Sequence, residues 1–64
     1  MTIYERQNWI TNIENSANVI ASYLGTVVVA SILERYGARH IEDIDPSFLP
    51  DVFNEMYAIE ADLK

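Results

Sequence analysis

Apolar residues recur at alternating spacings of three and four along the first third of the chain: Ile10, Ile13, Ala17, Ile20, Leu24 and Val27. That spacing holds the side chains in one stripe of an α-helix, as in a seam that packs against another helix. Polar Asn8, Asn12, Asn15, Asn18 and Ser22 fall mostly on other faces. Thr2 is placed to cap the helix start, with Glu5 three residues on as its reciprocal partner. The pattern predicts a helix over 3–24.

Gly25 and Thr26 then break or bend the helix. The β-branched run Thr26–Val29 has strand propensity. It continues into Ala30-Ser31-Ile32-Leu33-Glu34-Arg35-Tyr36, which favours helix, and a lone strand would leave its backbone groups unpaired. A second helix over 26–36, or a bent continuation of the first, is the better reading. Gly37 is a natural stop, and Arg35 in the last turn suits the helix dipole.

Residues 38–45 read as a connector, with Ile41 and Ile44 as apolar anchors in the core. Asp45 and Pro46 suit the cap and first position of a last helix over 46–63. Pro50 complicates the start, since it has no N–H and crowds the preceding turn. Either 46–49 form a separate turn or the helix begins at Pro50. Leu49, Val52, Met56, Ile59 and Leu63 again step by three and four, with Phe48 and Phe53 widening the stripe and Glu60 near its edge.

These elements predict an all-α fold of two or three helices in one domain over 1–64. A chain of 64 residues hides only about 60% of the surface that its unfolded form exposes. Small domains usually add a disulfide, a metal or a second chain. There is no Cys, and a lone His makes a structural zinc site improbable. The expectation is a small helical bundle completed by a homodimer or larger assembly. Its self-association surface would be the two stripes: Ile10, Ile13, Ala17, Ile20, Leu24, Val27, Val52, Met56, Ile59 and Leu63.

The net charge is −6, and it is unevenly placed. Through residue 41, Glu5, Glu14 and Glu34 balance Arg6, Arg35 and Arg39. Beyond it, Glu42, Asp43, Asp45, Asp51, Glu55, Glu60 and Asp62 face Lys64 alone. This balance argues against direct binding to nucleic acid, which wants clustered cations. On the last helix Asp51, Glu55 and Asp62 fall within an arc of about 40°. Such a stripe keeps an oligomer soluble. The alternative is a small acidic inhibitor, such as a phage counter-defence protein or nucleic-acid mimic, that sets the stripe against a basic protein surface.

Nineteen consecutive residues, Asn15 to Leu33, carry no formal charge. That length allows a third reading, a single-span membrane protein through 15–33. The segment holds six Asn, Ser and Thr residues and lacks a flanking Lys/Arg cluster, which favours a central helix in an oligomer.

Chemistry is sparse. With two glycines the chain has no Gly-rich phosphate loop. His40 has no Ser placed by a nucleophile elbow. Glu42, Asp43 and Asp45 lack the alternation of a calcium loop. No catalytic, cofactor or metal site is expected, and the chain reads as non-enzymatic. The first ten residues hold Glu5 and Arg6 and lack an apolar stretch with a small-residue cleavage site, so no signal peptide is expected there.

The second half carries Arg35-Tyr36-Gly37-Ala38, then Ile41-Glu42-Asp43-Ile44-Asp45-Pro46-Ser47, and ends in Tyr57-Ala58-Ile59-Glu60-Ala61-Asp62-Leu63. These segments resemble short uncharacterised proteins of phages and conjugative elements in Gram-positive bacteria. The resemblance implies a cytoplasmic, mobile-element setting and carries no activity. The reading reached here is a non-catalytic, self-associating helical module for protein–protein interaction.

Overall fold

A computed structural model describes residues 1–63. Three α-helices make up most of it: α1 Ile3–Leu24, α2 Thr26–Arg35 and α3 Leu49–Leu63. Two short 3₁₀ turns, Ile41–Asp43 and Pro46–Phe48, lie between α2 and α3. No strand occurs among the described residues. The all-α small bundle is therefore the observed architecture.

The helix ends follow local chemistry. The Glu5 N–H donates to Thr2 Oγ1 at 3.1 Å and the Thr2 N–H to Glu5 Oε1 at 3.4 Å. This reciprocal pair satisfies N–H groups that the first turn leaves without helical partners. Gly25 ends α1 rather than bending it. Its N–H still donates to the Ala21 carbonyl, but its φ of 91° and ψ of 164° are open to glycine almost alone. The chain turns there and α2 begins at once.

Tyr36 is the cap of α2 and not its last residue, one position short of the expected end. The Gly37 N–H bonds to the Glu34 carbonyl and the Ala38 N–H to the Leu33 carbonyl, both at 3.0 Å. This is a Schellman close, with Gly37 at φ 71° and buried Ala38 beside buried Leu33 in sequence register.

At α3 the separate turn forms, one residue shorter than expected. Pro46–Phe48 form their own turn, and the helix starts at Leu49 with Pro50 in second place. A first-turn N–H has no helical acceptor, so the missing donor costs nothing there. Asp45 Oδ1 accepts from the Ser47 N–H at 2.9 Å and from the Ser47 hydroxyl at 2.8 Å, which pins the turn.

The core runs through all of these elements. Ile10, Ile13, Ala17 and Ile20 from α1 meet Ile32 and Leu33 from α2, and Leu49, Val52 and Met56 from α3. Ile44 is buried with them and Ile41 packs against them, as the connector pattern predicts. The Arg6 guanidinium donates to the Glu42 carbonyl at 3.0 Å and ties the connector to the N-terminal half of α1.

The reading of 15–33 as a membrane span is overturned. Gly25 divides the segment between two helices. Among the described residues no helix is long and apolar enough to cross a membrane.

Candidate functional site

The ten residues assigned to a self-association surface separate into three groups. Ile10, Ile13, Ala17, Ile20, Val52 and Met56 lie in the chain's own core. Ile59 and Leu63 are partly buried against it. Leu24 and Val27 remain exposed. This is a correction with a plain cause: α1 packs against both α2 and α3, and the returning chain covers most of what the spacing assigned to a partner.

Coverage fails at one end. Along the α1 stripe Ile10, Ile13, Ala17 and Ile20 are 3%, 0%, 6% and 0% exposed, and Leu24, one turn further, is 48% exposed. Leu24 sits at the last position of α1, immediately before the Gly25 turn. Val27, on the outward side of the first turn of α2, is 74% exposed, and Tyr23 is also exposed. The core is thus open where α1 hands over to α2, and three large apolar side chains crowd that corner. Its apolar character joins the charge-free stretch Asn15–Leu33 to a definite place in the fold.

The acidic stripe is broken in its middle. Glu55 Oε1 takes an ion pair from Arg35, and Glu55 Oε2 accepts from the Tyr36 hydroxyl at 2.9 Å. Glu55 therefore clamps the end of α2 to α3 instead of facing a partner, while Asp51 and Asp62 stay exposed. The bond to Glu55 holds the Tyr36 hydroxyl above its ordinary pKa, aided by desolvation and by the negative charge of Glu55 and Asp51; Arg35 opposes the shift. Spacing along one helix does not reveal this clamp, because its partners lie 19 and 20 residues away in sequence.

A ladder of aromatic rings lines the α1–α3 contact. Trp9 meets Phe53 at 5.7 Å between ring centres, and Phe53 stacks on Tyr57 at 5.6 Å. Tyr57 forms the exposed end, while Trp9 and Phe53 pack against the core. These offset and tilted geometries add to the area that the rings bury. Tyr36 packs against Phe48 in the same way, at 5.7 Å. Trp9 and Phe53 thus join α1 to α3, and Tyr36 and Phe48 join the end of α2 to the turn before α3.

Among the described residues there is no pocket and no group of three His, Asp or Glu placed to hold a metal ion. Neither a family model, nor a curated protein, nor a solved structure matches the chain.

Proposed function

We propose that this chain is a non-catalytic helical module that works by associating with a second copy of itself and presenting the assembly to other proteins. One observation carries the reading. The core stripe of α1 is sealed through Ile20 and open at Leu24, beside exposed Tyr23 and Val27. Large apolar side chains gathered at one place on a small surface favour contact with another polypeptide. The likeness of the second half to mobile-element proteins supports a cytoplasmic setting.

Thermal unfolding followed by circular dichroism over a wide range of chain concentration tests the reading. Association couples folding to mass action, so the midpoint rises with concentration. A midpoint that stays constant from low micromolar to millimolar chain contradicts it.

A further inference from the structure

We propose that Gly25 is a hinge through which two copies exchange halves. In the exchanged form α1 and α2 fuse into one helix over 3–35, about 50 Å long, and α2 with α3 of each chain cover α1 of the other. The proposal rests on the self-association reading and gives it a mechanism. Its contacts are those that α2 and α3 already make with α1, formed between copies instead of within one.

The chain divides into two units at this point. Gly25 alone separates α1 from α2. α2 and α3 belong together, because Arg35 and Tyr36 at the end of α2 both bind Glu55 on α3. α1 joins that unit through the core, through Trp9 on Phe53, and through the Arg6 bond to the Glu42 carbonyl. A second copy offers the same partners in the same geometry. Exchange therefore sacrifices few contacts, and a short hinge under strain promotes it.

The hinge itself favours fusion. The turn holds Gly25 at φ 91° and leaves α2 without a side-chain cap. One continuous helix supplies partners to the last carbonyls of α1 and the first N–H groups of α2. Beyond its chain neighbours, nothing lies within 4 Å of where a Gly25 β-carbon would stand, so packing does not brace the turn. Fusion also brings the buried faces into line. At about 100° per residue, buried Ala17 and Ile32 and half-buried Ala21 and Val28 fall within an arc of about 60° on one helix. Two such helices, antiparallel, lay these faces together and cross near Gly25, where Ala21 and Gly25 add little bulk. Leu24 borders the arc at the crossing.

The test refolds isotope-labelled and unlabelled full chain together and reads NMR contacts between copies at millimolar concentration. Trp9 and Phe53, 5.7 Å apart between ring centres, give a contact between copies in the exchanged dimer and only within one copy in the closed fold. Gly25→Ala strains the closed turn and suits the fused helix, so it lowers the dissociation constant about tenfold or more. Inserting a flexible Gly-Ser-Gly-Ser linker after Gly25 relaxes the turn and interrupts the fused helix, so that variant stays monomeric. Circular dichroism checks that both variants keep their helices. If the parent dimerises with the Trp9–Phe53 contact confined to single copies, exchange is overturned while self-association stands. The same holds if the linker variant dimerises as tightly as the parent. A parent that stays monomeric removes the self-association reading and the exchange with it.

Discussion

Ile20 and Leu24 occupy successive turns of the same stripe on α1, yet Ile20 is sealed in the core and Leu24 is half open to solvent. The difference comes from what the rest of the chain can reach. At 10 residues, α2 spans about 15 Å against about 33 Å for the 22 residues of α1. The chain turns back immediately after Leu24, so no later segment of α1 continues the seam.

The two positions respond differently to truncation. Ile20→Ala removes a fully enclosed side chain and costs about 2–5 kcal/mol of folding stability, read from urea unfolding. Leu24→Ala removes a half-exposed one and changes the unfolding midpoint of dilute protein little. Its effect falls on association, as a raised dissociation constant in sedimentation.

Gly25 is held by backbone conformation and not by crowding. Its φ and ψ lie where an L-residue is strained, and a β-carbon there would touch nothing. Gly25→Ala is expected to cost about 1–3 kcal/mol in chemical denaturation. Gly37→Ala, in the left-handed helical region, is expected to cost about 1–2 kcal/mol. An unchanged midpoint in Gly25→Ala would show that α1 and α2 can join as one helix.

The clamp between Tyr36 and Glu55 makes folding sensitive to alkali. The Tyr36 hydroxyl is held above its ordinary value of 10.0, chiefly by its bond to Glu55. A raised folded-state pKa gives stability that is complete below the unfolded value and is lost as pH rises through the folded one. Stability of the parent therefore falls above about pH 10. Tyr36→Phe loses the bond at neutral pH and flattens this part of the alkaline slope, which unfolding midpoints from pH 8 to 11 would reveal (roughly one midpoint per half unit).

Asp45 produces the opposite sign. The Ser47 N–H and then the Ser47 hydroxyl hold its carboxyl below the model-peptide value of 3.8. A lowered folded-state pKa gives stability that is present above the unfolded value and lost as pH falls through the folded one. Acid unfolding below about pH 4 thus includes a contribution from Asp45. Asp45→Asn keeps an oxygen acceptor for Ser47 but does not titrate, so its acid limb is shallower than the parent's.

Much of this architecture is legible along the chain because it is local. Thr2 and Glu5 mark the start of α1, Gly25 and Gly37 mark two stops, and Asp45 with Pro46 marks a turn. Each device acts over three or four residues, which is the range that spacing can read. The site was only partly legible. Periodicity says that Ile10, Ile13, Ala17 and Ile20 are covered, but not whether the cover is the same chain or another. Here the same chain encloses Ile10, Ile13, Ala17, Ile20, Val52 and Met56 and half-buries Ile59 and Leu63, which leaves Leu24 and Val27 exposed beside Tyr23. Glu55 shows the second limit. Its helical position groups it with Asp51 and Asp62, whereas its partners Arg35 and Tyr36 come from another helix end that only the tertiary fold brings near.

The most direct measurement is sedimentation equilibrium of the unmodified chain from micromolar to millimolar concentration. A reversible species of twice the 7.3 kDa chain mass is expected to grow with concentration. A single 7.3 kDa species across the whole range would contradict the account.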